Sequence, residues 1–197
     1  LDTDMKNPTE DQQYILNYLP VYTQWSYAIG GVYKHYREKG YSTVVLSRNM
    51  LNNRIYKYDD NDADVESKKQ LDYISEEIEN KLRIENITRT ENGWKLMAGA
   101  NAELAKYNNS TYQKLFTPFG EDTINYNTDL VFYKWGLFGQ ASKKLMNDRL
   151  ILSFGLRTDA NTYSSDMSNP LDQVSPRFSV SYLLTDNYSL NFNTGRY

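Results

Sequence analysis

The residues with the most evident chemical capacity form an acidic run, Asp59, Asp60, Asp62, Asp64 and Glu66. Carboxylates spaced along an extended loop can surround a hard cation with oxygen. An EF-hand calcium loop beginning at Asp60 requires glycine at its sixth position and glutamate at its twelfth. Val65 and Leu71 stand there instead, so the run is read as a solvated loop, and neither a metal nor a cofactor is expected.

His35 is the only histidine and cysteine is absent. Multi-histidine metal centres, thiolate sites, disulfides and cysteine nucleophiles therefore have no material. A hydrolase built on Ser, His and an acid would have to route through His35, in a strand close to a tight turn. No enzymatic activity is expected.

The aromatic residues fall into two groups of interest. Tyr107, Tyr112, Phe116, Phe119 and Tyr126 lie in a polar stretch read as a long connection over about 106–127, where exposed rings either contact a ligand or pack on one another. Tyr33, Tyr36, Tyr41, Trp94 and Tyr188 lie beside short turns, as either a membrane-interface girdle or ordinary sheet packing would place them.

The elements that must hold these residues read as strands. Tyr188, Leu190 and Phe192 interleave with Ser189, Asn191 and Asn193, and Phe178, Val180, Tyr182 and Leu184 interleave with Arg177, Ser179 and Ser181, Leu183 being the exception. Such alternation marks a sheet with two unlike faces. Leu150, Leu152, Phe154 and Leu156 repeat it, as do Trp94, Leu96, Ala98, Ala100, Ala102 and Leu104 against Lys95, Gly99, Asn101 and Glu103. Four further strands are expected at roughly 24–37, 41–56, 70–90 and 128–145. In the third, Leu71, Ile74, Ile78 and Leu82 recur at helical spacing, and Glu77 to Lys81 and Glu79 to Arg83 favour a helix, so both readings stand. Near the start, Thr9 and Gln12 fit a capping box for a short helix reaching Leu19, or an irregular loop within 1–22.

Tight turns near 38–40, 91–93, 146–148 and 185–187 alternate with longer links near 57–69, 106–127 and 160–173. Outer-membrane barrels sort their connections in this way, and several strands exceed the 9–11 residues needed to cross a tilted bilayer. The fold expected is all-β: an antiparallel up-and-down meander of about eight long strands, part of a transmembrane β-barrel. No run of apolar residues is long enough for a spanning helix. Lys and Arg total 22 against 25 Asp and Glu, with no basic stripe, which argues against nucleic acid as a partner.

From Gly155 the sequence GLRTDANTYSSDMSNPLDQVSPRFSVSYLLTDNYSLNFNTGRY resembles the C-terminal barrel region of TonB-dependent receptors, particularly those of Bacteroides-like bacteria. A strand ending in Arg and Asp leads into a loop, and Ser175, Pro176 and Arg177 open the next strand. WSYAIGGVYKHY from Trp25, STVVLSRNMLNNRIYKY from Ser42 and FYKWGLFGQASKKL from Phe132 are similar to middle strands of the same family.

The resemblance implies a Gram-negative outer-membrane receptor that takes up a scarce nutrient such as a siderophore, haem, cobalamin or an oligosaccharide. Its implied partners are that small ligand, the lipid bilayer, TonB and a surface lipoprotein. Plug domain, energy-coupling box and signal peptide are not recognised, and Tyr197 shares parity with Asn191, Asn193 and Gly195 rather than with the apolar set. A fragment of the barrel domain, with open sheet edges, is therefore expected. The alternative is a soluble all-β adhesin or glycan-binding module, whose apolar alternates would fill a core between two sheets.

Overall fold

A computed structural model describes residues 9–196. A short helix, α1 (Glu10–Leu16), precedes eight strands: β1 (Val21–Arg37), β2 (Gly40–Tyr58), β3 (Lys69–Arg89), β4 (Trp94–Thr117), β5 (Gly120–Leu145), β6 (Leu150–Asn161), β7 (Ser175–Thr185) and β8 (Tyr188–Gly195). All lie in one antiparallel sheet in sequence order, so every connection is a hairpin. Among the described residues no second sheet packs on it, and the two-sheet core of the soluble alternative is not formed. Tyr197, whose parity bears on the chain end, lies outside the described residues.

The register of the last three strands shows why this sequence selects this sheet. Phe178 faces Phe154 on one side and Thr194 on the other, Val180 faces Leu152 and Phe192, and Tyr182 faces Leu150 and Leu190. On the opposite face Arg177 meets Gly155 and Gly195, Ser179 meets Ser153 and Asn193, and Ser181 meets Ile151 and Asn191. Slipping any strand by one residue would exchange the faces. Leu183, the exception in the alternation, pairs with Ser189 beside an irregularity that separates Leu183 from Thr185.

The apolar face is left uncovered. Ile29 is 68% exposed, Leu190 60%, Phe192 59% and Leu46 58%, while among the described residues the buried hydrophobics are Leu16, Val21, Met50, Tyr58, Ile87, Ala105 and Ala160. In water such a surface would aggregate; in hydrocarbon it is the ordinary exterior of a barrel, with the backbone satisfied by its ladder.

Two elements differ from the sequence reading. The link expected over 106–127 is not a loop: β4 runs to Thr117, Pro118 and Phe119 make the turn, and β5 begins at Gly120 with φ +128°. Beyond the bilayer both faces of a strand are wet, so hydrophobic alternation fades although the hydrogen-bond ladder continues. The segment 70–90, left between helix and strand, is the strand β3. Glu77 and Lys81 then stand about 13 Å apart along it. Cross-strand partners replace the helical pairs: Lys81 with Glu103, Glu79 with Asn49 and Asp72 with Arg54. These longer-range bonds outweigh local pairs worth about 0.2–0.5 kcal/mol each.

At the start, Thr9 N donates to Gln12 Oε1 at 2.9 Å and Gln12 N to Thr9 Oγ1 at 3.5 Å. Helix α1 ends at Leu16, short of Leu19. Seven residues do not hold a helix alone; the Leu16 side chain is fully buried and its carbonyl accepts from Lys57 Nζ.

The chain gathers into two compact units, one of Leu1–Ala28, Asn49–Glu79 and Lys106–Val131, the other of Ile29–Arg48, Asn80–Ala105 and Phe132–Tyr197. The turns after β1, β3, β5 and β7 belong to the second, and the Pro118–Phe119 turn to the first.

Candidate functional site

The polar face of the second unit carries a ladder of charges. Glu103, its side chain 16% exposed, binds Lys134 at 2.6 Å and approaches Lys81 at 3.9 Å. Beside it Arg83 pairs with Glu85 at 2.6 Å, and Arg157 grips Asp159 through Nε and Nη2 at 2.6 and 2.7 Å. The Arg83 guanidinium also lies 5.0 Å from the centre of the Phe138 ring. Phe138 is opposite Arg157 in the β5–β6 register, and Gln140 is opposite Gly155. Arg83, Phe138, Gln140, Ser153, Arg157 and Arg177 surround a recess of about 290 Å³. It offers planar cations, amide and hydroxyl groups around one aromatic ring, a surface able to bind polar ligands or protein carboxylates. The sequence placed Lys81, Arg83 and Glu103 on polar faces, but pairing partners emerge only from register, so the ladder and Phe138 went unrecognised.

In the first unit the acidic run is held by cations of the chain itself. Lys68 bonds Asp62 at 3.0 Å and Asp60 at 3.2 Å, Lys69 pairs with Glu66, and Gln70 donates to Asp59 at 2.7 Å. Hydrogen bonds to Asp62 and Asp60 raise the Lys68 pKa, while burial lowers that of Lys57 against the pull of Asp59 and Asp60. Among the described residues no group of three metal-capable side chains converges.

The aromatic residues expected to share one loop are dispersed. Tyr107, Tyr112 and Phe116 lie on β4, Tyr126 lies on β5, and Phe119 alone occupies the turn, where it is 100% exposed. Tyr107 Oη is 3.4 Å from Tyr73 Oη, and Lys69 Nζ is 5.4 Å from the Tyr112 ring. Phe116 and Tyr126 are exposed.

The residues expected at a membrane interface divide between faces. Trp94 opens β4 on the side of Leu96, with Lys143 Nζ 5.0 Å from its ring, and Tyr188 opens β8 on the side of Leu190 and Phe192. Tyr33 shares parity with Ile29. The rings of Tyr36 and Tyr41 meet at a tilt with centroids 5.8 Å apart, on strand positions of the same parity as Gly30 and Ser47, whose β-carbon positions meet on the other face. His35 is exposed on β1.

Charge is divided as sharply as polarity. The first unit has 16 acidic and 7 basic residues, the second 9 acidic and 15 basic, giving net charges of −9 and +6 that sum to the −3 of the chain.

An uncovered apolar face, a charged opposite face and strands up to 26 residues long define a wall segment of a membrane β-barrel. Residues 2–197 match the family described as TonB dependent receptor-like, beta-barrel, and the chain belongs to that family, whose members reside in the Gram-negative outer membrane. The match names no bacterial group. Among solved structures, the copper transporter OprC is similar with a TM-score of 0.61 at 16% identity, over 88% of this chain and 30% of that one. At that identity the likeness is one of fold, and the chain spans under a third of that transporter's length. No curated protein matches the sequence.

Proposed function

We propose that this chain forms part of the wall of an outer-membrane receptor that takes up a scarce nutrient by TonB-dependent transport. The observation that carries this reading is the single two-faced sheet, apolar on one side and laddered with charge on the other, in a chain of the TonB-dependent receptor barrel family. Apolar alternates meet lipid; Glu103, Lys134, Arg83 and Arg157 line the wet interior. The wall bonds and orients, and no residue in it has to break a covalent bond.

The turns after β1, β3, β5 and β7 are assigned to the periplasmic side, and the Pro118–Phe119 turn with the links at 59–68 and 162–174 to the outside. Ligand, TonB and a surface lipoprotein are the partners this reading calls for. Siderophore, haem, cobalamin and oligosaccharide remain the ligand classes. The net −9 of the first unit supports adding a metal cation, since such a field raises local cation concentration. Deletion of the gene followed by growth on each nutrient as sole limiting source tests the proposal. A defect confined to one nutrient and reversed by complementation supports it; unimpaired growth on all of them removes the transport reading.

A further inference from the structure

We infer that the polar face carries a binding site for a small phosphorylated solute, at the end marked by the turns after β3 and β5. A recess of about 600 Å³ lies there within the second unit, lined by Arg89, Lys95 and Lys144 and by no acidic residue. Further along this face Lys134 is matched by Glu103, Arg83 by Glu85 and Arg157 by Asp159. Among the described residues neither Arg89 nor Lys95 has a carboxylate partner. Lys144 holds Asp148 at 3.0 Å with both side chains more than half exposed, and an exposed pair of this kind contributes little. Three positive charges thus share one recess against a single solvated counter-charge.

Neutral donors complete the recess. Ser142 and Ser153 are opposite each other in the β5–β6 register. Ser142 Oγ accepts from Ser153 Oγ at 2.8 Å and from Gln140 Nε2 at 3.1 Å. A hydroxyl that accepts twice keeps one proton to donate, and here that proton is left for a ligand oxygen. A carboxylate brings one charge, whereas a phosphoryl group brings nearly two, with three acceptor oxygens. Three cations and a hydroxyl donor match the second, and the Arg89 guanidinium is able to take two of its oxygens side by side. The row of Gln140, Ser142 and Ser153 suits the hydroxyl groups of the body that carries the phosphate.

That the site looks toward the periplasm rests on the membrane placement in the proposed function; the binding itself does not. Protein purified from outer membranes in nonionic detergent is titrated at low ionic strength with glucose 6-phosphate and followed by calorimetry. The wild type is expected to bind one equivalent. The double variant Arg89→Gln, Lys95→Gln should bind at least about tenfold more weakly, having lost its charge-assisted contacts. Ser142→Ala, which removes no charge, should weaken binding about threefold. Lys106→Gln, which removes a charge eleven residues further along β4, should leave it unchanged, and glucose should not bind. A heat-dependent mobility shift in gels confirms that each variant remains folded. Undiminished binding by the folded double variant, a comparable loss from Lys106→Gln, or citrate bound as tightly as the phosphate ester overturns the inference. So does a wild type that binds nothing, the result if a carboxylate of the protein itself fills the recess. Unimpaired growth on every nutrient after gene deletion, with glucose 6-phosphate still bound by the purified protein, faults the transport reading alone.

Discussion

The ring of Phe138 lies where a side chain of Gly99 would be: a Cβ on Gly99 would fall 2.8 Å from Phe138 Cε2 and 2.6 Å from the Ile84 carbonyl oxygen. Glycine weakens a strand interior, so its place in β4 follows from what lies over it. Phe138 covers exposed backbone on the polar face, and Arg83 stacks over the ring.

Gly99→Val should therefore displace Phe138 or part β3 from β4, at a cost of about 2–3 kcal/mol for overpacking. Urea unfolding of the refolded protein in detergent, followed by tryptophan fluorescence, measures it. A change below about 0.5 kcal/mol would show that the ring moves aside freely.

Glu103 joins β3, β4 and β5 through Lys81 and Lys134. The lysine side chains are 43% and 39% exposed, so solvent screens the pairs and Glu103→Gln should cost only about 0.5–1 kcal/mol. Lys134→Met should cost less in the Glu103→Gln background than in the wild type, because that coupling is already gone. Additive losses in a double-mutant cycle would mean that the two side chains do not interact in the membrane.

The turn between β5 and β6 places Met146, Asn147 and Asp148 at φ of 53°, 53° and 69°. Asn and Asp tolerate the left-handed region and methionine gains nothing there. Met146→Gly should raise stability by about 0.5–1 kcal/mol, net of the freedom it adds to the unfolded chain. Asn147→Val should lower it by about 1–2 kcal/mol. Unfolding midpoints of both variants test the sign, and a destabilised Met146→Gly would refute the strained-turn account.

Legibility in the sequence followed the solvent. Where one face meets hydrocarbon and the other water, as in β6 to β8, alternation placed Phe178, Val180 and Arg177 correctly. Where both faces are wet, as beyond Lys106 in β4 and before Val131 in β5, polar residues lost the signal and a strand pair was read as a loop. In β3 the helical spacing of Leu71, Ile74, Ile78 and Leu82 competed with a pairing visible only with β2 and β4 in place. The polar site suffered in the same way: Glu103 and Lys134 are 31 positions apart, and their contact depends on register.

The division of the aromatic girdle is open to direct measurement. Trp94 lies on the apolar face near a tight turn, whereas the rings of Tyr36 and Tyr41 meet on the other face. Trp25 and Trp135 are first replaced by Phe, leaving Trp94 as the sole tryptophan. In vesicles containing brominated lipid, its fluorescence should be quenched, since bromine reaches only groups in contact with the bilayer. A second protein carries Tyr36→Trp with all three native tryptophans replaced. Its fluorescence should resist brominated lipid and yield to aqueous acrylamide, because a ring on the polar face meets water. Equal lipid quenching of both would place Tyr36 at the interface with Trp94 and restore the undivided girdle. Quenching of neither would remove the apolar face of β4 from the membrane, and with it the wall that the charge ladder of Glu103 is proposed to line.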